Sequence, residues 1–259
     1  LYIQPINDTA ILTGYANNTL PYGNLSNAFT VLNKLSYFYY YNPQTDDFSV
    51  MDIGSSFYNK QKNNYHYQSF YFTNNTIYLT GNTTIEQYAF NSGKLNTWNI
   101  QVDTAIYSTL FYRTHADDMG NIWLSSVTYT NKQGKTKQGC LVKYQTDNKK
   151  TTFYSKSNNA KSQFSISATL DIKTDNAGNV YLLNRGGVFV LPVSSDTILE
   201  YIEGEELPVN TYVSMEIDNK ERIWLGTTTN GMLIFDRANN KSITLNTEQS
   251  LLSPELTMQ

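Results

Sequence analysis

Short runs of aromatic and β-branched residues alternate along the chain with clusters of Asn, Asp and Gly, a pattern that predicts strands joined by tight turns. Residues 213–217 (Val-Ser-Met-Glu-Ile) predict one strand, ended by a turn opening at Asp218. Ile223-Trp224-Leu225 predicts a second, residues 232–235 (Met-Leu-Ile-Phe) a third and residues 242–245 (Ser-Ile-Thr-Leu) a fourth. The turns follow from their residues. Asp and Asn close local hydrogen bonds to backbone and tolerate left-handed dihedrals, and Gly adopts positive φ without a Cβ clash.

The same unit recurs. Residues 175–183 (Asp-Asn-Ala-Gly-Asn-Val-Tyr-Leu-Leu) with 186–191, and residues 117–125 (Asp-Asp-Met-Gly-Asn-Ile-Trp-Leu-Ser) with 139–144 after a longer insertion, repeat the pattern. Weaker copies begin near Asn74 and Asn7. The aligned apolar residues Ile11, Ile77, Ile122, Val180 and Ile223 are spaced between roughly 43 and 66 residues, within reach of propeller blades carrying insertions. One four-stranded unit cannot bury both its faces, so the units must stack. The expected fold is an all-β propeller of about five blades, at residues 1–55, 65–100, 106–155, 166–203 and 210–247, with 248–259 leading into a further blade. A β-sandwich is the alternative.

Residues 218–236 resemble the two-component-regulator propeller repeat, whose pattern runs Asp, two residues, Gly-Asn, Ile-Trp-Ile-Gly-Thr, a short loop, Gly-Gly-Leu and an aromatic-Asp. Glu221 stands at the first Gly and Met232 at the second loop Gly. Residues 175–191 and 117–144 match more loosely. The resemblance implies an extracytoplasmic sensor region of hybrid two-component or one-component regulators of the Bacteroidetes type, on the periplasmic or extracellular side of the inner membrane. Many such regulators are linked to glycan sensing. The chain is expected to be either a piece of a longer propeller protein or a five-bladed ring whose last strand closes on the first. The resemblance implies that a full-length sensor adds further blades, an immunoglobulin-like module, a membrane helix and a cytoplasmic kinase, with a homodimer as one arrangement open to it.

Composition narrows the function classes. The chain has 259 residues with 21 Tyr, 12 Phe and 3 Trp, 22 acidic against 19 basic side chains, a formal charge of -3, two His and one Cys. Low charge and the absence of a Lys/Arg cluster argue against nucleic-acid binding. No stretch reaches the roughly 18 apolar residues of a membrane span, so membrane attachment is expected only through segments outside this chain. One Cys excludes an intrachain disulfide.

Catalytic chemistry is sparse. His115 reads as a polar residue at a strand end, and Cys140 as a small buried hydrophobe. The acidic residues Asp196, Glu200, Glu203, Glu205 and Glu206 offer a carboxylate pair or calcium ligands in one reading, and a solvated loop in the other. Aligned on the turn Asp, His115, Lys173 and Glu216 share one strand position, and Arg113, Asp171 and Ser214 share another two residues earlier. They predict a polar belt, of structural ion pairs in one reading and of ligand-binding groups in the other. No cofactor, no metal and no catalytic residue is assigned, and no enzyme activity is expected.

A binding face remains. In a propeller the loops between second and third strands, and those entering each inner strand, gather at one end. Here they carry Asn184, Arg185, Thr228, Thr229, Asn230, Tyr129, Asn82 and Tyr15, with Tyr107 and Tyr212 on the approaches. Aromatic planes beside Asn, Arg and Thr donors suit sugar rings, whose apolar faces stack while their hydroxyls need directional partners. The expected ligand is an oligosaccharide or another small molecule. A propeller lyase or glycosidase and a protein-interaction scaffold are the alternatives.

Overall fold

The computed structural model describes residues 2–7, 10–16, 35–42, 47–50, 69–73, 76–89, 92, 94–154, 169–184, 187–195, 200–202, 212–228 and 231–245. These residues form strands and turns and no helix. The first sheet comprises β1 (Tyr2–Asn7), β2 (Ala10–Ala16), β3 (Leu35–Asn42) and β4 (Asp47–Val50), and the second β5 (Ser69–Thr73), β6 (Thr76–Thr80), β7 (Thr84–Ala89) and β8 (Lys94–Asn99). The third holds β9 (Phe111–Ala116), β10 (Asn121–Ser126), β13 (Leu141–Gln145) and β14 (Thr151–Tyr154), and its middle connection carries a separate hairpin of β11 (Tyr129–Thr130) and β12 (Thr136–Lys137). The fourth contains β15 (Asp171–Thr174), β16 (Val180–Asn184), β17 (Gly187–Leu191) and β18 (Glu200–Ile202). The fifth contains β19 (Tyr212–Ile217), β20 (Ile223–Thr227), β21 (Met232–Asp236) and β22 (Lys241–Leu245). Each sheet is a four-stranded meander, the repeating element of a propeller.

The chain forms two compact units, residues 1–103 with 109–116, and residues 104–108 with 117–259. In the first, β9 packs on β5 and β6. The Thr114 hydroxyl hydrogen-bonds those of Ser69 and Thr80, and the His115 ring meets Tyr71 edge-on at 4.6 Å. In the second, β19 packs on β15 and β16 over a core that includes Tyr181, Leu183, Val190, Met215, Leu225 and Phe235. Burying such side chains contributes about 1.5–3 kcal/mol each.

One acid organises each clear repeat. Asp117 Oδ1 accepts the backbone N–H groups of Met119 and Asn121, and its Oδ2 accepts the Asn121 amide and the Trp123 indole N–H at 2.8 Å each. Asp175 does the same for Ala177, Asn179 and the Tyr181 hydroxyl. Asp218 does it for Lys220, Arg222 and the Trp224 indole. The carboxylate thus ties the turn to the aromatic of the following strand, which is why Asp and Trp or Tyr recur six residues apart.

Each turn also needs a left-handed residue three places after the Asp. Gly120 (φ 80°) and Gly178 (φ 86°) supply it, and Glu221 is held there at φ 59°. A side chain in this region is strained by about 1–2 kcal/mol, partly offset by the greater chain entropy of Gly. Glu221→Gly is therefore expected to raise the unfolding free energy by roughly 0.5–1 kcal/mol in a denaturant titration. A fall in stability would contradict this account.

Candidate functional site

In the third sheet, β10 leaves the ladder at Ser126 and the chain projects as the β11–β12 arm before returning at Gly139. Asn131 builds its tip. The Asn131 N–H donates to the Lys135 carbonyl, and Asn131 Oδ1 accepts the N–H groups of Gln133 and Lys135, while Gly134 turns the chain at φ 77°. Thr130 and Thr136 join their hydroxyls at 2.9 Å across the arm, and Tyr129 stands opposite Lys137. The base is anchored on both sides. The N–H groups of Ser108 and Gln138 donate to the carbonyls of Gln138 and Ile106, the Gly139 N–H reaches Thr128 Oγ1 at 2.9 Å, and Tyr107 stacks on Phe153 with centroids 5.2 Å apart.

Two of the expected site residues belong to the arm and to its base. Tyr107 bridges to Gln138 at the arm's base, and half-buried Tyr129 lies on the arm itself. Asn184 is half-buried at the end of β16, Thr228 is exposed just after β20, and Asn82 is exposed in the turn between β6 and β7. Tyr15 lies on β2 opposite Tyr37. Its side chain, Arg185, Thr229 and Asn230 lie outside the described residues. Tyr212 is 1% exposed and belongs to the core, so it presents no ring to a ligand.

A β-bulge moves it there. The register shifts between Tyr212 and Ser214, so Tyr212 joins the face of Met215 and Val213 turns outward, 48% exposed.

The other polar residues divide between structure and surface. Lys173 pairs with Glu216, and Asp171 Oδ2 accepts the Met215 N–H at 3.3 Å, so part of the expected belt exists between the fourth and fifth sheets. His115 is 5% exposed. Cys140 is fully buried, and burial pushes its thiol up to about 11 although the Ser126 hydroxyl acts in the opposite sense. A thiol so protonated is no nucleophile. Of the acidic segment, Glu200 lies on β18, and Asp196, Glu203, Glu205 and Glu206 lie outside the described residues. Desolvation alone would raise the Asp218 carboxyl, but hydrogen bonds from Trp224, Arg222 and Lys220 hold it well below the usual carboxylate range.

A cleft of about 50 Å³ opens at the turn end of the third and fourth sheets, lined by Met119, Trp123, Lys143, Tyr154, Gly178 and Val193 among others. The Lys143 ammonium sits 5.2 Å from the Trp123 ring centre. That space holds a few waters but no sugar ring.

Sequence reasoning missed the arm's charge. Lys132, Lys135 and Lys137 lie within six positions, a Lys cluster that the expectation of none overlooked because the segment read only as an insertion. Their spacing was the available signal.

No protein-family model and no curated protein matches the sequence. Solved structures resemble it. The extracellular domain of a putative hybrid two-component system of B. thetaiotaomicron is 15% identical over 82% of this chain, with a TM-score of 0.51. That of a putative one-component system of the same organism is 14% identical over 96%, with a TM-score of 0.56. The fold is that of propeller blades. Both neighbours are regulators of the kind that the repeats resemble, and the chain spans 26% and 28% of their lengths. Virginiamycin B lyase from Staphylococcus aureus shares the fold at 9% identity and a TM-score of 0.50, over 94% of this chain and 83% of its own. At these identities the likeness is one of fold.

Proposed function

We propose that the chain is an extracytoplasmic ligand-sensing propeller region of a two-component or one-component regulator, which binds an oligosaccharide or another small molecule without catalysis. The observation that carries the reading is a convergence. The repeat motifs and the fold lead independently to the same class of sensor, and the neighbours of that class are extracellular domains. The β11–β12 arm supports the ligand class, because its register sets Tyr129 directly opposite Lys137 on a hairpin whose tip the Asn131 side chain closes.

Isothermal titration calorimetry of the chain against a panel of oligosaccharides, with chromatography of each mixture, tests the proposal. Saturable binding with the sugar recovered intact, weakened roughly tenfold by Tyr129→Ala, is the expected result. The second reading is an enzyme, favoured by the lyase likeness that spans most of both chains. A cleaved product would establish it. Absence of binding to any member of the panel would turn attention to a protein partner.

A further inference from the structure

We infer that the β11–β12 arm recognises an anionic oligosaccharide, whose carboxylate or sulfate groups meet Lys135 and Lys137 while a sugar ring lies against Tyr129. The inference rests on the sensing function proposed above and names the ligand class of the same site. Between Thr128 and Gln138 the chain carries three Lys and no acid, although the whole protein has a net charge of -3. Tyr129 and Lys137 are direct cross-strand partners, so their side chains leave the same face of the hairpin, and Lys135, two residues from Lys137, shares that face. Lys132 and Lys135 are exposed at the tip.

The ammonium groups are uncommitted. The ion pairs of Lys173 with Glu216 and of Arg222 with Asp218 are formed elsewhere, and among the described residues no carboxylate pairs with Lys132, Lys135 or Lys137. The backbone that carries them is fixed. Asn131 closes the tip with its side chain and main chain, and Gly139 and Gln138 tie the base to Thr128, Ile106 and Ser108. An arm ordered in advance loses little chain entropy when a ligand arrives.

The chemistry selects among anions. Nucleic acid would need many more phosphate contacts than the three lysines of the arm provide. A protein partner would need a desolvated apolar anchor, whereas the arm offers half-buried Tyr129 among Thr, Asn, Gln and Lys. One aromatic ring with ammonium donors on the same face of the hairpin fits an acidic sugar.

The test is calorimetry of the full chain with four probes: oligogalacturonate, its methyl ester, a chondroitin sulfate oligosaccharide and its desulfated form. The galacturonate pair reads the carboxylate and the chondroitin pair the sulfate. At least one acidic form should bind about tenfold more tightly than its partner form, and raising the salt from about 50 to about 300 mM should weaken it. Lys135→Gln with Lys137→Gln should remove about tenfold of that affinity while the melting temperature stays constant. The inference is overturned if ester and acid bind alike, or if the double variant binds as the parent does. Tyr129-dependent binding of a neutral sugar would then leave the sensing function standing. Failure of every sugar, including the neutral panel, would overturn both. Lysine-dependent binding of a polyglutamate peptide without sugar binding would replace the glycan by an acidic protein.

Discussion

Asp175→Ala is expected to lower the unfolding free energy by about 3 kcal/mol or more, because one carboxylate satisfies four donors in a nearly dry site. Asp175 is 9% exposed. Its Oδ1 takes the N–H groups of Ala177 and Asn179 at 3.0 and 2.8 Å, and its Oδ2 takes the Asn179 amide and the Tyr181 hydroxyl at 2.8 and 2.9 Å. Tyr181 is completely buried in the core, and burial together with the Asp175 charge keeps its phenol protonated and able to donate. Alanine would leave that hydroxyl without its carboxylate acceptor and would release the turn from the strand.

Asp175→Asn keeps the acceptor for the two backbone groups but points an amide at two donors, so roughly half the loss should remain. Asp218→Ala should cost less than Asp175→Ala. The Asp218 side chain is 21% exposed and that of its partner Arg222 is 34% exposed, so water replaces much of what is removed. Chemical denaturation of the three variants gives the order. A second measure is a double-mutant cycle of Asp175→Ala with Tyr181→Phe, where a coupling of about 1–2 kcal/mol is expected. Additive effects would show that carboxylate and phenol do not act together.

These acids were the most legible part of the sequence, because a turn whose geometry demands Asp, a left-handed residue and an aromatic at fixed offsets writes itself into the residue order. Even the exception is informative, since Glu221 keeps the left-handed φ of the Gly it replaces. The Lys173 and Glu216 pair was legible for a related reason: period-two alternation places equivalent residues of neighbouring repeats on facing strands. Alternation fails where its period is broken. The bulge after Tyr212 shifts one residue of register, and nothing in the run Tyr-Val-Ser-Met distinguishes a bulged strand from a regular one. The arm was hidden differently. Its two strands have two residues each and its lysines follow no apolar period, so hydrophobic patterning reads the segment as a connection.

The arm's position depends on a glycine, which makes Gly139→Ala the second large effect expected. A Cβ at this position would lie 2.5 Å from the Ser126 carbonyl oxygen, 2.9 Å from the Thr128 nitrogen and 3.1 Å from the Val127 carbonyl carbon. All three are backbone atoms, so no side chain can rotate away, and either the arm moves or the β10–β13 ladder opens. The Ser126 N–H donates to the Cys140 carbonyl immediately beside the clash, and the Cys140 N–H donates back to Ser126 Oγ. Overpacking against fixed backbone costs about 2–3 kcal/mol, which in a chain of this size lowers the melting temperature by roughly 5–10 °C. The damage should be local before it is global. Cys140 is buried with its thiol pushed up to about 11, so in the parent it should react slowly with a thiol reagent. In the variant, displacement of the Ser126 and Cys140 backbone should expose it, and the labelling rate well below the melting temperature should rise. A lower melting temperature with unchanged labelling would place the strain away from the arm's base. Faster labelling accompanied by weaker sugar binding would show that the close approach of two backbones at Gly139 holds Tyr129 and its lysines where a ligand meets them.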